Sequence, residues 1–261
     1  MNPESLAARS LMLACLTSLA ALPLAALAED EHAITPYRPS VSNPAQLPAV
    51  GQLELEAGWQ ASSAQGVRLN SIPVLLKYAF SDHWGVLLGG QAWVSRHEPG
   101  APAVHGGGDT NLVLKRAFPI DEATALGLEL GVKLPTAGAD LGSGHADYTL
   151  NAIASRDVGK VHVDANLNLT HAGLPDPGTS GPITGLSAAL STPVSERWSA
   201  LAELSGTRQH GAGVTSQALM GLAYSPSKRL TFDIGMSHSL HAPSTSWAWF
   251  SGVVLPLGQM R

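Results

Sequence analysis

The sequence predicts an all-β chain, a transmembrane antiparallel β-barrel of about 12 strands, and three observations predict it. After residue 28, a stretch of roughly ten residues alternating apolar and polar recurs along the chain, closed alternately by a short turn and a longer Gly/Pro/His loop. Charged residues make up 13% of the chain, about half the share of a soluble domain. No apolar run after residue 28 is long enough for a helix to cross a bilayer. The repeat is plainest from Gln52 to Ala61, where Leu53, Leu55, Ala57 and Trp59 share one face and Gln52, Glu54, Glu56 and Gln60 the other. One face suits lipid and the other water.

The N-terminus comes first in the argument about compartment. Arg9 precedes an apolar run from Leu11 to Leu24, and Ala26-Leu27-Ala28 supplies the small-x-small pattern read by a signal peptidase, so residues 1–28 are expected to be a signal peptide. The run is shorter than the ~20 residues of a membrane-spanning helix and holds Thr17, Ser18 and Pro23, which argues against a retained anchor. Cys15, the only cysteine, lies inside it, so the mature protein is expected to contain no disulfide. The formal charge of -5 survives cleavage because Glu4 and Arg9 cancel, and with no basic runs the chain offers nothing to a nucleic acid.

Residues 29–50 carry Pro36, Pro39, Pro44 and Pro48 and can be neither helix nor regular strand. Two readings stand: a segment folded into the lumen as a plug, with Arg38 latched to inward acids such as Glu54, Glu56 or Glu203, or a periplasmic tail.

The barrel proper spans residues 51–261. Strands are expected near 51–61, 69–80, 84–95, 109–118, 124–135, 146–156, 161–171, 183–194, 198–207, 214–225, 229–240 and 246–257, an even number, as bacterial single-chain barrels require. Tight connections at 81–83, 119–122, 157–160, 195–197 and 226–228 alternate with longer ones at 96–108, 136–145, 172–182 and 208–213. Short turns belong to the periplasm and long loops to the outside, which places both termini in the periplasm of a Gram-negative cell. The two faces keep their character along the chain. Leu126, Leu128, Leu130, Val132 and Leu134 oppose Ala125, Gly127, Glu129, Gly131 and Lys133; Val161, Val163, Ala165, Leu167 and Leu169 oppose His162, Asp164, Asn166, Asn168 and Thr170. A soluble ligand-binding barrel would put the large apolar residues inside. Aromatics gather at strand ends: Tyr78, Phe80, Trp84, Phe118, Trp198 and Tyr224 beside short turns, and Trp59, Tyr148, Trp247 and Trp249 beside long loops, as two interfacial girdles would.

Four stretches carry a resemblance: Arg38-Pro39-Ser40-Val41-Ser42-Asn43-Pro44, Leu47 to Gly58, Gly107 to Lys115 and Gly131 to Thr136. In order and spacing they resemble the family of outer-membrane transporters linked to the meta pathway of phenol degradation, over most of residues 36–257. The resemblance implies an outer-membrane channel or transporter for the passive passage or uptake of small molecules, aromatic or hydrophobic compounds among them. Its partners would be outer-membrane lipid, a small-molecule solute and the barrel-assembly machinery. Many such barrels end in an aromatic residue, whereas this chain ends Leu257-Gly258-Gln259-Met260-Arg261.

The residues expected to line the lumen and the substrate path are Arg38, Glu54, Glu56, Lys77, Lys115, Glu129, Lys133, Asp164, Glu203 and Asp233, with Asp109 and Asp147 on the same inner wall. Acids outnumber lysines there, so the lumen should be wet and mildly cation-preferring, or its charges should pair across neighbouring strands and rigidify a largely filled interior. His97, His105, His145, His171, His210 and His241 lie in or beside the long loops, but without the close spacing of a preformed metal site, and no cofactor is expected. Two other classes compete. A barrel enzyme acting on lipid needs a Ser-His or Asp-His constellation, and Asp233 and His238 fall on opposite faces of one strand. A structural or adhesive barrel would call for long apolar or repetitive outer loops, and these are short.

Overall fold

A computed structural model describes residues 32–241 and 246–260; the expected signal peptide at 1–28, Cys15 and residues 29–31 lie outside them. Alternation of side chains produces the strands β1 (Gln52–Ala64), β2 (Val67–Ala79), β3 (Trp84–His97), β4 (Val104–Gly106), β5 (Thr110–Pro119), β6 (Thr124–Leu134), β7 (Asp147–Val158), β8 (Val161–His171), β9 (Ser180–Pro193), β10 (Trp198–His210), β11 (Thr215–Ser227), β12 (Leu230–His241) and β13 (Ser246–Gln259). Neighbouring strands pair antiparallel, β4 and β5 each with β3, and β1 pairs with β13 from Gln52 opposite Gln259 to Ala64 opposite Ser246, which closes the ring. Closure removes the unpaired edges that a membrane interior would penalise. Because β4 and β5 both pair with β3 and share one place in the wall, the barrel has twelve wall strands, as expected.

Two local expectations are corrected. Residues 96–108 are not one long loop, since β4 lies within them. The wall strand breaks at Gly107-Gly108-Asp109, where a Cβ on Gly108 would lie 2.7 Å from the Cβ of Gln91; the backbone crosses β3 too closely for any side chain. The connection after β1 is not long either: pairing continues to Ala64 opposite Val67, and Gln65 and Gly66 turn the chain with φ of 51° and 81°. Those angles are those of a two-residue hairpin that follows the twist of its strands.

The two faces carry opposite chemistry. Glu54, Glu56, Lys77, Lys115, Glu129, Glu203 and Asp233 are buried inside, while Leu112, Leu130, Leu186, Leu204, Met220 and Ile234 stand exposed outside. Glu54 is 0% and Leu130 54% exposed, the reverse of a water-soluble core. Among the described residues no helix is long and apolar enough to cross a membrane. The ends of β1 and β13 meet where Met260 donates to the Gly51 carbonyl (2.7 Å), at the end that carries the short turns.

Candidate functional site

A segment with four prolines cannot satisfy its own backbone, so its N–H and C=O groups must find partners elsewhere. The inward side chains supply them. From Ala33 to Val50 the chain runs inside the short-turn half of the barrel. The Thr35 N–H is shared by both oxygens of Glu54 (3.1 Å each), and Glu56 accepts the N–H groups of Tyr37 (2.7 Å) and Arg38 (3.1 Å). Glu203 accepts those of Val41 (2.8 Å) and Ser42 (3.1 Å) and the Ser40 hydroxyl. Asn43 donates to Asn166 (3.0 Å) and Ala45 to the Ser155 hydroxyl (2.7 Å). The carbonyls are served in the same way: Lys77 donates to Thr35, Lys115 to Pro44 (2.5 Å), and Asn166 to Asn43 (2.9 Å). The segment meets β12, β10, β8, β5 and β7 in turn, and just before β1 begins it is bridged to the end of β2 by the pairing of Val50 with Ala79.

The buried charges are matched within this arrangement. The Lys77 ammonium lies 2.9 Å from Glu54 and 2.6 Å from Glu56, and Lys115 lies 3.0 Å from Glu129, which also accepts from the Asn43 side chain. Both ammonium groups stand over the Tyr37 ring, at 4.4 and 4.3 Å from its centroid, so one aromatic ring is gripped by two cations. The Tyr37 hydroxyl donates to Gln46 (2.7 Å), folding the segment back on itself.

Arg38 departs from expectation. Its guanidinium is paired neither with Glu54, Glu56 nor Glu203 but with Asp233, through Nε (3.0 Å) and Nη2 (3.1 Å), and it also donates to the Ser251 carbonyl (3.2 Å). Only its backbone N–H reaches Glu56. Space decides this: a Cβ on Gly252 would lie 2.3 Å from Arg38 Nε, and one on Gly58 2.7 Å from its Cζ, so the two glycines form a slot over β13 and β1 that leads to Asp233. Similar gaps receive the rest of the segment, Gly221 facing the Pro39 ring and Gly85 facing Leu47.

Two of the expected lumen residues do not touch the segment. Asp164 bonds to Ser155 and to His162 (3.2 Å), which in turn meets Asp157 (2.6 Å), and it acts on the segment only through Ser155. Lys133 lies in the long-loop half, 2.7 Å from Asp147, 3.5 Å from Asp109 and 3.0 Å from the Ser143 hydroxyl. Asp109 accepts from the Ala137 N–H (3.0 Å) and Asp147 from Gly173 (2.9 Å), so this cluster ties two long loops to the wall. Residues 139–143 dip over a cavity of about 500 Å³ lined by Gln60, Ser71, Gln91, Val94, Arg96 and Lys133. Smaller spaces of about 200 Å³ beside Val41 and 170 Å³ beside Tyr37 and Arg38 flank the segment.

Sequence reasoning did not single out Tyr37, Ser42, Asn43, Ser155, Ser187 or Asn151 as parts of the site. Ser42 bonds to Ser187 (2.8 Å), and Asn151 bridges Glu129 (2.9 Å) and Asn166 (3.0 Å). The available signal was the alternation itself, which puts every one of the strand residues among them on the inner face. Asp233 and His238, weighed as an enzyme pair, lie apart: the first holds Arg38 and the second stacks on Trp247 with ring centroids 4.0 Å apart. Among the described residues no cluster of three or more metal-binding side chains occurs.

No protein-family model matches the chain, and no curated protein matches it in sequence. Solved structures do match. The COG4313 outer membrane channel from Pseudomonas putida F1 superposes with a TM-score of 0.63 at 16% identity, covering 81% of this chain and 97% of that one. The NanC porin matches with a TM-score of 0.57 at 9% identity over 78% of this chain and all 100% of the porin. For the KdgM porin the values are 0.56, 10%, 78% and 99%. At these identities the likeness is one of fold, and that fold is the closed twelve-stranded antiparallel barrel of outer-membrane channels.

Proposed function

We propose that the protein is a passive outer-membrane channel for small molecules whose short-turn half is occluded by its own N-terminal segment, residues 33–50. The observation that carries the reading is the inversion of the barrel: a lipophilic outside and a polar inside that binds a removable strip of chain rather than an interlocked apolar core. Most bonds that hold the strip run to wall side chains; the Ile34 N–H to the Lys228 carbonyl (2.9 Å) and Arg38 to the Ser251 carbonyl (3.2 Å) reach wall backbone, and neither replaces a strand-to-strand pairing. The fold supports insertion in the outer membrane, and the general placement of short turns supports the further reading that they and both termini face the periplasm. The resemblance to transporters of the phenol meta-pathway family supports small aromatic or hydrophobic solutes as cargo. The names of the similar solved structures, channels and porins, support passage rather than catalysis. Arg38 and Asp233 form the latch, and the surplus of acids over bases on the inner wall gives a mild preference for cations.

The test is single-channel recording of the refolded mature chain in planar bilayers. Small discrete steps with a cation bias are expected, growing severalfold in Asp233→Asn as the segment loosens. Identical conductance and identical protease resistance in wild type, Asp233→Asn and Arg38→Ala would overturn the latch, and silence in all three would overturn the channel.

A further inference from the structure

The outer wall carries one arginine in an unusual setting. Lys115 and Ala117 are buried towards the lumen, so Arg116 between them faces outwards, three residues from the end of β5 and about 10 Å along the strand from it. Trp84 stands directly opposite it on β3, and Phe118 is the next outward residue on its own strand. The guanidinium carbon lies 4.8 Å from the centroid of each ring, so aromatic groups cover it on two sides. What remains open is its set of N–H donors. Among the described residues Arg116 forms no ion pair and its side chain makes no hydrogen bond, while Leu114, Leu126 and Leu128 around it are exposed and apolar.

On a lipid-facing wall, a cation with unfilled donors is costly unless the surroundings provide an anionic oxygen. The surroundings at this height of a membrane barrel are lipid headgroups. We propose that Trp84, Arg116 and Phe118 form a binding site for the phosphate of a phospholipid in the leaflet next to the short turns, its acyl chains lying along Leu112, Leu114, Leu128 and Leu130. This rests on the reading of the wall as membrane-spanning. The planar donors match two phosphate oxygens, and the rings fix the guanidinium plane before the lipid arrives. A headgroup without an ammonium of its own leaves the phosphate free for Arg116, so phosphatidylglycerol is favoured over phosphatidylethanolamine.

The experiment is native mass spectrometry of the folded mature barrel in detergent, titrated with phosphatidylglycerol, with phosphatidylethanolamine, and with inorganic phosphate as competitor. Wild type should retain one phosphatidylglycerol that Arg116→Leu loses, with about a tenfold fall in occupancy, and Phe118→Leu should lie between them. Arg116→Lys, which keeps the charge but not the planar stack, should recover only part of the retention. Equal retention by wild type and Arg116→Leu overturns the site, and so does displacement of the lipid by millimolar phosphate, which would make it a plain anion site. Heat-modifiable mobility verifies that each variant is folded; if Arg116→Leu fails to fold, equal retention by Phe118→Leu and wild type overturns the site instead. Conductance separates this proposal from the channel reading: lipid retention by a barrel that never conducts would refute the channel and leave the lipid site standing.

Discussion

The two halves of the lumen obey the same alternation rule and use their charges differently. In the short-turn half, Glu54, Glu56, Lys77, Lys115 and Glu203 are nearly sealed from solvent and act as hydrogen-bond partners for a backbone that cannot pair with itself. In the long-loop half, the Lys133 side chain is 25% exposed beside a cavity of about 500 Å³, and its acids tether loops. An inward charge therefore says little by itself about conduction. Where a proline-rich segment is at hand the charge is consumed in holding it; where none is, the charge faces open space. If the barrel conducts as proposed, its ionic preference should accordingly be set in the outer half, by Asp109 and Asp147 around Lys133.

The contrast can be broken or sharpened experimentally. The largest effect is expected from Lys77→Ala, which strands Glu54 and Glu56 in a buried site and should cost roughly 3–5 kcal/mol, seen as a lower urea midpoint of the detergent-folded barrel. Gly221→Ala should cost roughly 1–3 kcal/mol, because its new methyl would lie 2.8 Å from the Pro39 ring. In a Pro39→Ala background most of that penalty should vanish, and a cost that persists would show that the crowding comes from the strand and not from the segment. Lys133→Ala should change stability by only about 1 kcal/mol, its ion pairs being partly solvated, yet speed protease cleavage within 136–146. The same variant should shift selectivity further towards cations than any change at Lys77, and the reverse order would place the selective constriction in the filled half. Smallest of all, Leu130→Ala on the outer face should leave conductance unchanged.

Strand positions and faces were legible because both depend on neighbours one or two residues apart. The twelve wall strands appear where alternation places them, and Glu129 and Lys133 face inward as read. Contacts between distant residues were not legible. Arg38 and Asp233 are separated by 195 positions, and the choice of Asp233 over Glu56 depends on two glycines, on β1 and β13, whose meaning is visible only once an arginine lies over them. The break before β5 was hidden for a related reason: three successive glycines look like a loop, and only the approach to Gln91 shows them to be a kink in a wall strand. Tyr37 went unread because its role needs two lysines from different strands on one ring.

The position of Arg38 bears on how the ring comes to be closed. Its guanidinium touches Asp233 on β12 and Ser251 on β13, and it lies against Gly58 on β1, so one side chain spans the joint at which the first strand meets the last. The segment stands ahead of β1 in the chain, and every other strand it touches is made before β13. Arg38 is thus a rivet at the seam: a barrel that closes without it has lost a contact across the joint that links the two ends of the sheet.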